Sequence, residues 1–247
     1  MIRMEEVSKR FGAQTVLDSL DLEIEPRQTT VIMGLSGAGK SVMLKHMIGL
    51  LKPDAGKVWV DGEDVTGLAG EELYRIRLKF GFLFQDGALL DSMSLFDNVA
   101  LPLREHTRQS AAEVQARVEE VLAQVGLQGM GHKAPSELSG GMRKRAGLAR
   151  AMVLRPRILL LDEPSSGLDP VMTDVIMALI NDLQSEYHTT NVVISHDVEA
   201  TYKIADRIAV LYRGKIHLSG TADELKASRD PVVRQFLDGQ RAGPIAV

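Results

Sequence analysis

Cysteine is absent from the 247 residues of this chain. Its absence excludes disulfide bridges and thiolate metal sites, and it fits a reducing compartment. No run of 18 apolar residues occurs, because charged residues interrupt even segment 42–51, so any membrane role is expected to be peripheral. The first six residues contain no apolar core of a secretory signal. Internal repeats and low-complexity tracts are also missing.

The chain has no excess of basic residues. Its formal net charge is −4, which argues against a nucleic-acid-binding surface spread over the whole molecule but leaves local basic patches open. Apolar residues make up 45% and charged residues 25% of the chain, as in an ordinary globular protein. This length allows one large α/β domain or two small ones.

Residues 34–41 contain the pattern G-x-x-x-x-G-K-[ST] between an apolar, β-branched run and a helical run. Strand, glycine-rich loop and helix in this order predict a phosphate-binding loop for a Mg-nucleotide. Backbone N–H groups would surround the phosphates, Lys40 would supply positive charge, and Ser41 would offer a hydroxyl to Mg²⁺. The alternative is a turn that only joins strand to helix. The candidate residues are Gly34, Ser36, Gly37, Ala38, Gly39, Lys40 and Ser41.

Two carboxylates, Asp162 and Glu163, follow the apolar run 158–161. Such a run predicts a strand buried on both faces of a parallel sheet. At its end, Asp162 would hold Mg²⁺ or its water and Glu163 would act on the attacking water. Both could instead be solvated carboxylates. His196 follows another buried strand and would lie at the same end of the sheet if the two strands are parallel; a single histidine is more often structural.

The region 86–155 is predicted to be mainly helical and inserted between two strands. Ser110 and Glu113 form a capping-box pattern, followed by a helix with one apolar face at Val114, Val118, Val121, Leu122 and Val125. The helix predicted over 141–154 contains Arg143, Lys144 and Arg145. Their basic side chains could approach phosphates or lipid headgroups, although a solvated face contacting Asp or Glu neighbours is the simpler interpretation.

Four further features give the chain a resemblance to the ATP-binding-cassette family: the segment LSGGM at 138–142, the segment SGLD at 166–169, Gln85 and His196. With the phosphate-loop and carboxylate motifs they occur in the family order over residues 1 to about 237. The resemblance implies an α/β P-loop NTPase fold of the ABC type. This fold has a RecA-like mixed sheet core, an N-terminal antiparallel β subdomain and an inserted helical subdomain. The implied ABC ATPase domain is 1–238, with a C-terminal tail at 239–247.

The resemblance also implies residue roles. Residues 34–41 match Walker A, Asp162 the Walker B aspartate, Glu163 the catalytic glutamate, and His196 the switch histidine at the γ-phosphate. The remaining matches are Phe11 with the aromatic that stacks on adenine, Gln85 with the Q-loop ligand of Mg²⁺ and water, and Asp169 with the D-loop aspartate. From the residues alone, Phe11 could equally be a core residue at a strand end.

The signature segment, 138–142, is a second predicted anion site, because Ser139, Gly140 and Gly141 begin a helix. Two anion sites in one chain imply sharing, and in the family the signature of one subunit closes over ATP bound to its twin. We therefore expect a homodimer around ATP. Met142 replaces the Gln of most cassettes, which removes a side-chain amide but no backbone donor.

Segments 81–92, 96–99 and 101–106 are similar to the ATPases of Mla-type phospholipid transporters. This resemblance implies a peripheral protein on the cytoplasmic face of the bacterial inner membrane. The implied partners are an integral membrane permease docking near Gln85 to Phe96, a small STAS-type subunit and a periplasmic MCE-domain protein, with no nucleic acid. A permease helix would fit a groove with apolar residues, which could also be core residues of the helical subdomain. They are Ala88, Leu89, Leu90, Met93, Leu95 and Phe96.

Other functions remain open at this point. The chain could serve an importer of another solute, or act as a non-transport cassette ATPase of the iron–sulfur assembly type. The tail at 239–247 is longer than the fold requires, and we expect it to dock on the twin subunit or an accessory protein.

Overall fold

The computed structural model of the chain describes residues 2–245. They form two compact units. The first consists of the described residues up to Arg77 together with those from Val192 onward, and the second consists of Leu78–Asn191. Within residues 2–245, no helix combines the length and the apolar character needed to cross a membrane.

The strands are β1 (Ile2–Phe11), β2 (Gln14–Ile24), β3 (Thr29–Met33), β4 (Ala55–Val60), β5 (Glu63–Asp64), β6 (Phe80–Leu83), β7 (Ile158–Asp162), β8 (Thr190–Ile194), β9 (Arg207–Tyr212) and β10 (Lys215–Gly220). The α-helices are α1 (Lys40–Met47), α2 (Gly70–Arg77), α3 (Leu95–His106), α4 (Ala111–Gln124), α5 (Gly140–Met152), α6 (Pro170–Tyr187), α7 (Val198–Ile204), α8 (Ala222–Ala227) and α9 (Pro231–Leu237). A 3-10 helix, Pro135–Glu137, precedes α5.

One sheet of the first unit is antiparallel, with strand order β2-β1-β4-β5. The alternating apolar and polar residues at 2–7 and 20–24 predict two strands that flank a turn region at 12–18. The observed turn is shorter, since Phe11 pairs with Gln14 and β2 starts there. The β-branched residues Thr15 and Val16 favour this extension of the strand. The fold therefore contains the predicted N-terminal antiparallel sheet, with a tighter hairpin.

The other sheet of the first unit is mixed. β3 pairs in parallel with β9, and β9 pairs with β10 in an antiparallel hairpin. The sequence predicts this hairpin, with strands at 207–212 and 215–219 joined through Arg213-Gly214. All five residues of β3 are buried, which fits a strand covered on both faces. Beyond the end of β8, the N–H of Ser195 donates to the carbonyl of Ile32 at 3.3 Å. This bond places the chain just before His196 beside the end of β3.

In the second unit, β6 and β7 pair in parallel, from Phe80 opposite Ile158 to Leu83 opposite Leu161. Helices α3, α4 and α5 pack around one apolar cluster. The predicted apolar face of α4 is confirmed, because its four valine and leucine side chains and Val125, which caps its end, are all buried. The unit spans 78–191 and so includes strands as well as helices. The helical insertion at 86–155 and the domain end at 238 stay predictions.

Side-chain oxygens cap most of the helix starts. Ser110 forms the predicted capping box at α4. The sequence also predicts a cap at Thr221, three residues before Glu224, and a helix start at Asp230-Pro231, and both are confirmed at α8 and α9. These caps satisfy N–H groups of the first helical turn that have no intrahelical partner. The start of α1 is built differently.

Candidate nucleotide-binding and hydrolysis site

The predicted phosphate loop, residues 34–41, connects β3 to α1 in the first unit, as expected. Glycine is required at two of its positions. A Cβ at Gly34 would lie 2.6 Å from the backbone oxygen of Leu211, and one at Gly39 would lie 2.9 Å from the side chain of Val16. Gly39 also has a φ of 104°, which only glycine adopts readily. The loop therefore passes closer to neighbouring backbone than any other residue type allows.

Helix α1 begins at this loop without a side-chain cap among the described residues, since its N-cap is Gly39. The Lys40 side chain is 7% exposed. Its Nζ donates to the carbonyl oxygens of Gly34 at 2.8 Å and Leu35 at 2.9 Å. A helix N-terminus carrying partial positive charge, next to a lysine ammonium, is a site suited to an anion.

A cavity of about 420 Å³ lies beside Gly37 and Ala38 of this loop. Its remaining lining comes from the start of β2 and from the β9–β10 turn: Gln14, Thr15, Val16, Asp18, Arg213 and Gly214. Sequence reasoning missed these residues, because no motif marks them and the two segments are far apart in the chain. Phe11, at the end of β1, is 48% exposed. This exposure excludes the core alternative for Phe11, and the Lys9 ammonium lies over its ring, 5.8 Å from the ring centroid.

His196 is exposed in the first unit and follows the end of β8. The next residue, Asp197, caps α7 by accepting the N–H of Ala200 at 3.0 Å. Its own N–H donates to the Ser195 hydroxyl at 3.0 Å. These bonds hold the backbone on both sides of His196 beside the end of β3, where the phosphate loop begins.

In the second unit, Gln85, Asp162 and Glu163 lie at the carboxyl edge of β6 and β7. Leu83 is paired with Leu161, and Gln85 and Glu163 each follow two residues later. Gln85 is exposed, whereas the two carboxylates are half-buried. Glu163 has a φ of 51°, an uncommon conformation for a residue other than glycine. The paired strands thus bring together one amide and two carboxylates.

The signature segment begins α5 in the second unit. The Ser139 hydroxyl accepts the N–H of Met142 at 3.3 Å, and both Ser139 and Gly140 are exposed. Gly141 is buried, and a Cβ there would lie 2.8 Å from the terminal methyl carbon of Met172. Met142 packs against the apolar cluster of the helices. The residue that departs from the family pattern is therefore a packing residue in this chain.

Asp169, also in the second unit, caps α6, since one of its carboxylate oxygens accepts the N–H of Met172 at 2.9 Å. Pro170 occupies the first position of that helix, where a missing N–H costs nothing. Asp169 is exposed. Its capping bond fixes the direction of the segment that follows the two carboxylates.

The basic residues at the start of α5 differ from the predicted solvated face. Arg143 is exposed, but Lys144 is only 5% exposed and donates to the Glu163 carbonyl at 2.9 Å. Arg145 donates to the carbonyl of Val125 at 3.0 Å. The solvated interpretation is therefore wrong for Lys144. The contact joins residues 19 positions apart, so no local sequence pattern predicts the burial of Lys144.

The apolar residues proposed for a permease groove differ in burial. Leu95 is completely buried, so it is a core residue of the second unit. Leu89 and Phe96 are half-buried against the same cluster, and Met93 is also half-buried. Ala88 and Leu90 are exposed and are the residues of this set most accessible to a partner.

The described part of the C-terminal tail lies against its own unit. The Gln235 side chain accepts the N–H of Ile245 at 2.7 Å and donates to its carbonyl at 3.1 Å. The Tyr212 hydroxyl donates to the carbonyl of Pro244 at 3.1 Å. Ala246 and Val247 lie outside the described residues. Docking of the tail on a twin or accessory subunit stays a prediction.

Comparison with known families agrees with this arrangement of motifs. Residues 17–166 match the family described as ABC transporter. The chain belongs to that family, and it is the ATPase subunit of an ABC transporter. Its fold and the order of its motifs are those of the ABC ATPase cassette.

Relatives cover the whole chain. The chain is 46% identical over 246 residues to the probable ribonucleotide transport ATP-binding protein mkl of Mycobacterium leprae, covering 100% of this chain and 71% of that protein. It is 43% identical over 245 residues to the intermembrane phospholipid transport system ATP-binding protein MlaF of Escherichia coli, covering 99% and 91%.

Solved structures of cassettes superpose on this chain. The ATP-binding cassette MJ0796, in a dimeric post-hydrolysis state bound to ADP and Pi, gives a TM-score of 0.83 at 33% identity and covers 90% of this chain and 99% of its own. The protein cbiO1 of Clostridium perfringens, part of the ABC transporter complex cbiONQ, gives 0.85 at 27% identity and covers 96% and 94%.

Proposed function

We propose that this chain hydrolyses ATP to drive the movement of phospholipids between membranes. The observation that supports this cargo is the 43% identity to MlaF, whose length the match covers to 91%. The mkl relative is named for ribonucleotide transport, and the match covers 71% of it. Ribonucleotides are therefore the alternative cargo.

The first unit supplies the phosphate and base contacts in this proposal. Backbone N–H groups of the glycine-rich loop and the first turn of α1 bind the phosphates, and Lys40 exchanges its loop carbonyls for phosphate oxygens. Phe11 stacks on the adenine, for which its exposed ring is suited. His196 donates to the γ-phosphate.

The second unit supplies the groups that act on water. Glu163 accepts hydrogen bonds from the attacking water and polarises it, and Gln85 orients it. Ser139, Gly140 and Gly141 offer a capped helix start to the γ-phosphate of ATP on a second copy. Asp169 lies in the segment that meets that copy. Hydrolysis therefore requires two chains.

The residues present fit Mg²⁺. Ser41, Gln85 and Asp162 provide a hydroxyl, an amide and a carboxylate, which are the hard oxygen ligands that Mg²⁺ prefers. Among residues 2–245 no cluster of three or more His, Cys, Asp or Glu side chains could bind a metal by itself. When bound, Mg²⁺ would neutralise charge on the phosphate oxygens.

The proposed assembly is a pair of these chains on the cytoplasmic face of a bacterial inner membrane, beneath a permease. The exposed Ala88 and Leu90, close to Gln85, are candidate contacts of the permease. A STAS-type subunit and an MCE-domain protein complete the assembly. Closure around ATP and reopening after hydrolysis would move the permease between states.

Two measurements test this function. The first is ATP hydrolysis by the assembled complex with Glu163→Gln, which is expected to fall about 100-fold or more because the water loses its base. A rate equal to the parent's would reject the role of Glu163. The second is ATP-dependent transfer of labelled phospholipid between liposomes by the reconstituted complex, with ribonucleotide uptake measured in parallel.

Transfer that stops with Glu163→Gln supports the phospholipid cargo. Uptake of ribonucleotides without lipid transfer supports the alternative cargo. A fully soluble assembly, with no membrane subunit extracted by detergent, would instead favour a non-transport ATPase of the iron–sulfur assembly type.

A further inference from the structure

Lys144 is the buried lysine of α5, three residues after the signature glycines. Its Nζ donates to the backbone carbonyl of Glu163 at 2.9 Å and to the hydroxyl of Ser166 at 2.8 Å. Burial lowers the pKa of Lys144, and the charges of Asp86 and Glu163 oppose that effect. Keeping an ammonium group away from water is costly, so a side chain retained there needs a compensating interaction.

The backbone of Glu163 needs external support. Its φ of 51° belongs to the left-handed region, which costs an ordinary residue about 1–2 kcal/mol. The Glu163 carbonyl accepts two hydrogen bonds, one from the N–H of Ser166 at 3.1 Å and one from Lys144. The first bond is local to the turn, and the second comes from another element. Lys144 therefore connects α5 to the backbone of Glu163.

A second basic residue of α5 holds the neighbouring loop. Arg150 donates to the carbonyls of Gly87 and Ala88, each at 2.8 Å, just after Gln85. Arg145 instead donates to the carbonyls of Val125 and Gly126, which follow α4. Helix α5 thus contacts the backbone of Glu163 and the backbone shortly after Gln85, the two residues predicted to bind the water. Arg145 of the same helix contacts neither segment, so it can serve as a control.

We propose that Lys144 is a positioning residue for hydrolysis, holding the Glu163 backbone so that its carboxylate meets the attacking water. The proposal rests on the proposed role of Glu163. Helix α5 starts at the signature segment, which in the proposed function meets the ATP of a second copy. The contact of Lys144 with Glu163 therefore links that helix to the glutamate that acts on the ATP of its own chain.

The test compares Lys144→Met with Arg145→Met in the assembled complex. Both substitutions remove from α5 a positively charged side chain that binds backbone carbonyls elsewhere, but of the two residues only Lys144 contacts Glu163. We expect kcat to fall about 10- to 100-fold for Lys144→Met, because a small misplacement of a reacting group has effects of this size. The KM for Mg-ATP and the Kd of a fluorescent ATP analogue should stay within about twofold. Arg145→Met should keep kcat within about twofold.

A double-mutant cycle separates positioning from general damage. With Glu163→Gln already present, Lys144→Met should reduce the residual rate by less than about twofold, because the group that Lys144 positions is gone. An additive effect, or a folded Lys144→Met protein with the parental kcat, would overturn the proposal. A parental rate for Glu163→Gln alone would reject the proposed function instead, whatever Lys144 does.

If Lys144→Met does not fold, Lys144→Gln tests the positioning role of Lys144 in the same way. Glutamine is shorter and uncharged but stays polar in the buried position. A folded Lys144→Gln protein with reduced kcat and unchanged nucleotide Kd supports the proposal. A folded Lys144→Gln protein with the parental kcat overturns it.

Discussion

The two glycine-rich helix starts of this chain, at α1 and at α5, are built in opposite ways. Helix α1 starts at Gly39 without a side-chain cap, and the buried Lys40 binds carbonyls of its own loop. Helix α5 starts at Ser139, whose hydroxyl caps the helix, and Lys144 reaches the Glu163 carbonyl. Both starts offer positive potential to an anion. They differ in the acceptors that their donor groups already contact: Lys40 binds carbonyls of its own loop, whereas Lys144 binds a carbonyl beyond the next strand.

This difference fits the different parts that we propose for the two helix starts in one reaction. The start of α1 keeps its cationic side chain beside the phosphate loop, as a primary nucleotide site requires. At the start of α5 the Ser139 hydroxyl already accepts the N–H of Met142, and Lys144 is directed to the backbone of Glu163, the proposed hydrolytic residue. The first is therefore expected to bind ATP in a single copy, and the second to act on ATP that is already bound.

The largest expected effect separates the two lysines. Lys40→Met should lower both nucleotide affinity and hydrolysis by about 100-fold or more, because the charge that opposes the phosphates is lost. Lys144→Met should lower kcat alone. Titration with a fluorescent ATP analogue distinguishes the two, and Lys45→Met, an exposed residue of α1, is the matched control. Equal affinities for Lys40→Met and the parent would contradict the comparison.

A second prediction compares the effects on stability of replacing a glycine at each of the two helix starts. Gly34→Ala should lower the free energy of unfolding by about 1–3 kcal/mol, because the new Cβ would lie 2.6 Å from backbone that cannot move aside cheaply. Gly140→Ala should stay within about 0.5 kcal/mol of the parent, since the nearest atom is the Leu168 side chain at 3.9 Å. Urea denaturation measures both. A larger loss for Gly140→Ala would show that its glycine is needed for packing.

A third prediction concerns the cap. Ser139→Ala should lower the free energy of unfolding by about 1 kcal/mol, because the N–H of Met142 loses its acceptor. The control is Ser136→Ala, an exposed serine in the preceding 3-10 helix, expected to change stability by less than about 0.5 kcal/mol. Thermal unfolding with both variants measures the difference, and equal stabilities would contradict the role of the cap.

The smallest expected effect is a pH dependence in α1. His46 is 1% exposed, its Nδ1 contacts the Val42 carbonyl at 2.7 Å, and its Nε2 has no partner among the described residues. Burial lowers the pKa of His46, the Val42 contact opposes this, Lys9 lowers it further and Asp54 raises it. The unfolded chain therefore binds the proton more tightly than the folded one.

Stability from neutral His46 is complete above its ordinary pKa of about 6.5 and is lost as the pH falls below that value. Urea denaturation at pH 7.5 and pH 5.5 should show a smaller loss for His46→Leu than for the parent. An equal loss in both proteins would remove His46 as the cause.

Local structure was predictable where short-range chemistry decides it. Strand β9 has the predicted bounds, and the caps at Ser110, Thr221 and Asp230 start helices as expected. The two-residue strand β5 was not predicted, because Glu63 and Asp64 have no strand pattern and pair only through Trp59 and Val60.

Contacts distant in sequence account for what was missed at the site. The position of Val16 and Arg213 beside the phosphate loop depends on how three strands pack. The burial of Lys144 depends on a carbonyl beyond the next strand. The order of the motifs identified the candidate nucleotide-binding residues. It does not show which basic side chains donate hydrogen bonds to backbone carbonyls within the fold.

The central claim is that the start of α5 acts on ATP bound to a second copy, and one measurement tests it most directly. Sedimentation of Glu163→Gln with Mg-ATP, which is expected to bind but not hydrolyse, should show a dimer. Adding Ser139→Arg should give a monomer that still binds the fluorescent ATP analogue with parental affinity. A Ser139→Arg protein that dimerises with ATP as the Glu163→Gln parent does would contradict the account.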